Sequence, residues 1–93
     1  MNQNVYTQIE NGRVTVGTSA VQMTTTSVET RQGVTLIAYS GNVGSVHVGK
    51  SGLTTSTGFP LKPNVGITIP IDDPSKVWAI SQTAGNFLHW ILV

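Results

Sequence analysis

Three stretches of this chain alternate between apolar and polar positions with a period of two. In residues 33–39, Val34, Leu36 and Ala38 fall on one side and Thr35, Ile37 and Tyr39 on the other. Residues 44–49 set Val46 and Val48 against Ser45 and His47, and residues 65–71 place Ile67, Ile69 and Ile71 together. Alternation carried by β-branched residues predicts strands with one buried face, so Val46, Ile67 and Ile69 are expected in the core. Residues 76–81 and 87–92 read as two further strands, with 13–16 and 20–23 as weaker candidates. The segment 87–92 is apolar on both sides, which predicts a strand covered on both, either in the middle of a sheet or between subunits.

Turn chemistry separates these segments: Asn11-Gly12, Gln32-Gly33, Gly41-Asn42, Thr57-Gly58-Phe59-Pro60, Lys62-Pro63-Asn64, Asp72-Asp73-Pro74 and Ala84-Gly85-Asn86. With ten glycines and four prolines spread along the chain, no window of helical period survives. Only Asp73-Pro74-Ser75-Lys76 has the makings of a single helical turn, because proline suits a first helical position. The pattern predicts an all-β fold, a single antiparallel β-sandwich or small barrel of about seven strands over residues 12–93. Apart from Met1, residues 1–11 hold only Val5, Tyr6 and Ile9 as apolar side chains among Asn, Gln and Thr. They read as a flexible N-terminal arm that orders on a partner's surface, or as an ordinary loose terminus.

Composition changes this picture in three ways. At 93 residues the chain supports one domain with one thin core. Charged residues make up 10% of it, against about 25% in ordinary soluble domains. The cations Arg13, Arg31, Lys50, Lys62 and Lys76 are scattered and nearly balanced by Glu10, Glu29, Asp72 and Asp73, for a net charge of +1. Nucleic acid is therefore not an expected partner, since phosphate backbones call for clustered Lys and Arg. Thirteen threonines and eight serines carry the solubility, and a surface with so little like-charge repulsion favours self-association. The absence of cysteine rules out disulfides and thiolate metal sites. Neither a basic start nor an apolar run of about 18–20 residues is present, so no membrane partner is expected and synthesis is expected in a cytoplasm.

Candidate chemistry is sparse, and no cofactor is expected. His47 and His89 have no acidic residue in a motif beside them, so a triad or a metal site would need distant partners. The simpler reading puts His47 on the polar face of its strand and His89 as a filler in the last one. Asp72-Asp73 precedes Pro74 and reads as a strand-ending turn, because a Ca²⁺ loop supplies several more oxygen ligands at regular spacing. Gly44 and Gly49 followed by Lys50-Ser51 match the phosphate-loop string literally. The residues between the glycines form a strand, however, and a Gly- and Thr-rich stretch stands where the helix should be, so nucleotide binding is not expected. Of the aromatics, Trp78 alternates with Val77 and Ala79 and reads first as core. Trp90 lies between a core and a subunit-contact reading, and Phe59 either plugs one end of the sandwich or docks on a partner. Trp78, Trp90 and Tyr39 would be the residues of a sugar-stacking platform.

Residues 44–61 run Val-x-Val-Gly, then Gly-Leu-Thr-Thr-Ser, then Thr-Gly-Phe-Pro-Leu, and Ile-Thr-Ile-Pro-Ile-Asp-Asp follows. That order of parts resembles the small β-sandwich structural proteins of tailed bacteriophage virions, over residues 14–80. The resemblance implies a non-enzymatic virion component, foremost a capsid decoration or cement protein that braces the head shell by binding the major capsid protein or other virion proteins. By analogy with such proteins it implies a homo-oligomer, with a trimer the first expectation. A tail or baseplate component is the nearest alternative, and a carbohydrate-binding β-sandwich module the alternative from another class. The terminus Phe-Leu-His-Trp-Ile-Leu-Val departs from the resemblance, which implies nothing there. The residues expected to meet a partner are Val5, Tyr6, Ile9, Phe59 and Trp90; no catalytic or metal-binding residue is expected.

Overall fold

The computed structural model describes residues 9–30 and 32–93. Its strands are β1 (Asn11–Val16), β2 (Val21–Gln22), β3 (Val34–Ala38), β4 (Val46–Gly49), β5 (Phe59–Leu61), β6 (Gly66–Ile69), β7 (Trp78–Ser81) and β8 (Asn86–Leu92). They form two antiparallel four-stranded sheets, β1-β8-β3-β6 and β2-β7-β4-β5. The fold is thus the expected all-β sandwich. Its eighth strand, β5, comes from the Phe59-Pro60-Leu61 stretch that the sequence marks as a turn. Among the described residues no helix is long and apolar enough to cross a membrane.

Pairing register explains the core. In the first sheet Gly12, Trp90, Leu36 and Ile67 share one row, and Val34 lies between Leu92 and Ile69. Across from them Val46 is flanked by Ser81 and Leu61, and Val48 by Ala79. These inward rows close on one another with Leu36, Leu61 and Leu88 fully buried, each contributing about 1.5–3 kcal/mol of transfer free energy. Ile67 and Ile69 point inward but are half-buried, because β6 is an edge strand and its row ends there. Val46 alone of the three expected core residues is fully enclosed.

Trp90 belongs to this core at 7% exposure. It is opposite Gly12, where a Cβ would come within 3.0 Å of the indole, so the missing side chain makes room for the ring. Trp78 reverses its expected position. Val77 and Ala79 point into the core, and Trp78, between them, lies half-buried on the outer side of its sheet, level with Gln22 and Gly49.

The expected helical turn is present as a single 3-10 turn, Pro74–Lys76. Asp73 caps it by accepting from the Ser75 N–H at 2.8 Å, and also accepts from Ser27 Oγ at 2.5 Å. The Ser27 and Ser75 bonds hold the Asp73 carboxyl below the ordinary carboxylate range. Lys76 donates to Asp72 at 2.8 Å, an exposed pair worth little in itself. Farther along, Thr30 donates through both its N–H and its hydroxyl to the carbonyls of Asp72 and Ile71. These bonds pin the irregular segment between β2 and β3 to the end of the β6 sheet edge.

Candidate functional site

The outer face of the β1-β8-β3-β6 sheet is where apolar and cationic side chains collect. Register places Asn11, Ile91, Thr35 and Thr68 in one row, and Arg13, His89, Ile37 and Gly66 in the next. Thr15 and Phe87 pair in a third, where the Tyr39 N–H donates to the Phe87 carbonyl at 3.1 Å. Ile37, Tyr39 and Ile91 are each about two-fifths exposed (41%, 46% and 40%). None of the residues in these rows is acidic.

The side chains support one another. The Tyr39 ring meets Phe87 edge-on, with centroids 5.8 Å apart and planes at 81°, and lies 6.0 Å from His89. Arg13 lies over the other part of the cluster, its guanidinium carbon 4.4 Å from the Phe87 centroid. A cation over an aromatic face at an exposed site contributes about 0.5–1 kcal/mol, and here it also fixes which way the guanidinium points. Asn42 anchors the strand beneath by accepting from the Phe87 N–H at 2.8 Å and donating to the Phe87 carbonyl at 2.9 Å. Beside the cluster a shallow depression of about 220 Å³ opens between Asn11, Gly12, Thr35, Ile37, His89, Trp90 and Ile91. Thr35 and Thr68 share a hydroxyl–hydroxyl bond of 2.8 Å next to it. The face therefore offers rigid aromatic area, aliphatic contact, a cation and no anion.

Sequence reasoning placed β8 as a strand covered on both sides. Hydrogen bonding does make it central, between β1 and β3, but only its Leu88 and Trp90 side meets the other sheet. Phe87, His89 and Ile91 remain on an outer face that no described element covers. The signal was present in the Thr35, Ile37 and Tyr39 alternation. What was missing was the pairing of β3 with β8, which joins two partly apolar outer rows into one surface.

Of the other residues expected to meet a partner, Phe59 lies away from this face. Val5 and Tyr6 lie outside the described residues. Ile9 is 74% exposed beside the first residues of β1, and Phe59 is 57% exposed on β5, an edge of the opposite sheet. Phe59 therefore plugs neither end of the sandwich. The three candidate sugar-stacking residues separate as well: Tyr39 lies on this face, Trp78 on the outer side of the other sheet, and Trp90 in the core. Pairing of the first sheet begins one residue inside the expected arm, at Asn11, and the Leu92 N–H donates to the Glu10 carbonyl.

The stretch around Lys50 is a turn and not the start of a helix: Leu53 N–H donates to the Lys50 carbonyl, and Thr54 and Thr57 bond each other. This loop folds back over the outer side of β4. Leu53 is 7% exposed, and a Cβ at Gly58 would come within 2.7 Å of the His47 Cβ. His47 is accordingly half-buried under the loop, with Nδ1 enclosed and unpartnered among the described residues. The polar face on which His47 was expected is covered here, because Leu53 supplies an apolar cap. Among the described residues no group of three or more His, Cys, Asp or Glu side chains is placed to hold a metal ion.

No family model, curated protein or solved structure matches this chain.

Proposed function

We propose that this protein is a non-enzymatic structural component of a tailed-phage virion, a decoration or cement protein that attaches to the assembled head shell. The observation that carries the reading is the outer face of the β1-β8-β3-β6 sheet, where Ile37, Tyr39, Phe87, His89 and Ile91 form one connected apolar and aromatic surface around Arg13. Such a face suits a protein partner that presents aliphatic surface with an acidic group near its centre, since rigid aromatics and arginine are the side chains that anchor protein interfaces. Repeated on a lattice, a ligand that binds only the assembled shell stabilises it by linkage. The order of sequence parts over residues 14–80 supplies the virion setting. A sugar-stacking role is the weaker fit, because Tyr39 and Phe87 stand nearly perpendicular, at 81°.

The test begins with the particle. Mass spectrometry of purified virions should find the chain, and cryo-EM should place it on the head with this face toward the shell. Ile37→Asp and Ile91→Asp put a carboxylate in the surface and should abolish binding to undecorated heads while leaving the circular dichroism spectrum unchanged. Full binding by both variants, or a chain found only in the tail, would refute the proposal.

A further inference from the structure

Among the described residues, three of the four sheet edges are protected and the longest is not. The β5 edge carries Pro60 within its three residues, β2 has only two residues, and β6 has four and ends at Pro70. Proline, brevity and covering are the means by which folded chains keep free edges from pairing with other strands. By contrast β1 has six residues, Asn11–Val16, without proline. Its ladder with β8 includes the Leu92 N–H to Glu10 carbonyl bond. In an antiparallel pair the bonded positions alternate, so Gly12, Val14 and Val16 bond β8, and Asn11, Arg13 and Thr15 turn their N–H and C=O groups outward. Among the described residues nothing pairs with them. The one charge on the strand does not guard the edge, since Arg13 is drawn back over Phe87 on β8.

We infer that β1 pairs with β1 of a second copy across a two-fold axis, making one continuous eight-stranded sheet. The register follows from the sequence. Outward-facing odd residues must pair with odd residues, so the allowed registers centre on Arg13, Val14 or Thr15. Centring on Arg13 sets two like charges directly opposite, which is destabilising. Centring on Thr15 leaves little of the strand paired. Centring on Val14 pairs Arg13 with the partner's Thr15, uses most of the strand, and lays the two half-buried Val14 side chains against each other at the inner row. The two-fold interface is self-complementary, as isologous contacts require. This inference does not depend on the virion reading, and it calls for a dimer where the resemblance suggests a trimer.

Two variants test it on the full chain. Thr15→Pro removes an outward N–H that the β1–β8 ladder does not use. It should raise the dimer dissociation constant by about 10- to 100-fold with the fold intact by circular dichroism. Val14→Cys introduces a lone thiol into a chain without cysteine. Directly opposed non-hydrogen-bonded positions lie about 4.5 Å apart between Cα atoms, within disulfide reach, so mild oxidation should give a covalent dimer quickly, whereas Thr68→Cys on the β6 edge should not. Sedimentation that shows wild-type monomer or trimer over the micromolar range would overturn the inference. So would a folded Thr15→Pro variant with undiminished dimerisation, or cross-linking of Val14→Cys no faster than that of Thr68→Cys. Should Thr15→Pro fail to fold, the cross-linking comparison decides alone.

Discussion

Asn86 is the residue whose removal should reach farthest through this fold. It is 1% exposed at the start of β8. Its Oδ1 accepts from the Val43 N–H at 2.9 Å, and its Nδ2 donates to Ser81 Oγ at 2.7 Å and to the Val43 carbonyl at 3.2 Å. Ser81 in turn donates to the Ser45 carbonyl, so one carboxamide joins the loop before β4, the end of β7 and the start of β8. Asn86→Ala strands the Val43 N–H and leaves Ser81 with one partner fewer. Since Val43 is largely exposed, the lower part of the usual penalty applies to its N–H, and with the bonds to Ser81 and the Val43 carbonyl also lost the total should be about 2–3 kcal/mol. For a domain of this length that is a fall in Tm of about 10–20 °C, readable by thermal and urea melts with an unchanged m-value. Asn86→Asp sharpens the test. It keeps the acceptor but aims a buried carboxylate at the Val43 and Thr83 carbonyls, which raises the pKa of that carboxyl in the folded state above its unfolded value. The folded state then holds the proton more tightly, so the ionisation part of the penalty is absent below the unfolded pKa and grows as pH rises through the two values. An Asn86→Ala variant within about 0.5 kcal/mol of wild type, or an Asn86→Asp penalty that is flat from acid to neutral pH, would refute the reasoning.

Leu36→Ala should cost about 2–5 kcal/mol in urea melts, whereas Ile69→Ala, half-buried at the β6 edge, should cost less than half as much. Leu53→Ser should destabilise measurably and Thr55→Ala should not, because within the loop over His47 only Leu53 is buried. Asp73 has a carboxyl held low by Ser27 and Ser75, so its stabilising effect is full above the unfolded pKa and is lost as pH falls through the folded one. Asp73→Asn should therefore lower Tm at neutral pH and converge with wild type in acid, which flattens the acid limb of a Tm-against-pH series. A chain beginning at Glu10 should melt like the full protein but bind undecorated heads more weakly if Val5, Tyr6 and Ile9 touch the shell. One beginning at Gly12 should also melt lower, having lost the Glu10 carbonyl that Leu92 bonds.

The strands and their inward residues were legible in the sequence because one buried face writes itself as period two. Val34, Leu36, Ala38, Val46 and Val48 all lie where alternation puts them. What alternation cannot carry is pairing. Trp78 looks like core beside Val77 and Ala79, yet the same period that buries those two turns it outward. Trp90 fits the core only because Gly12 stands opposite, a contact between residues far apart in the chain. Asn42 and Asn86 were read as turn residues by type; Asn42 follows a turn and Asn86 opens β8. Their long-range bonds to Phe87 and Val43 depend on which loops end up adjacent. The outer face was hidden for the same reason: each of its strands looks half-polar alone, and the surface exists only once β3 lies against β8.

The free edge and the apolar face also bear on each other. An antiparallel pair of strands has its two-fold axis perpendicular to the sheet, so β1–β1 pairing would leave both outer faces on the same side. Each would sit a few strand spacings of about 4.8 Å from the seam, in one rigid sheet. A dimer of this form presents two copies of the Ile37, Tyr39, Phe87 and Ile91 surface at a fixed separation, and attachment of the first makes attachment of the second nearly intramolecular. Thr15→Pro leaves Arg13, Ile37, Tyr39, Phe87, His89 and Ile91 in place, yet it should weaken binding to a repeating lattice by more than it weakens binding to an isolated lattice subunit. Equal losses on both would show that the edge and the face serve unrelated purposes.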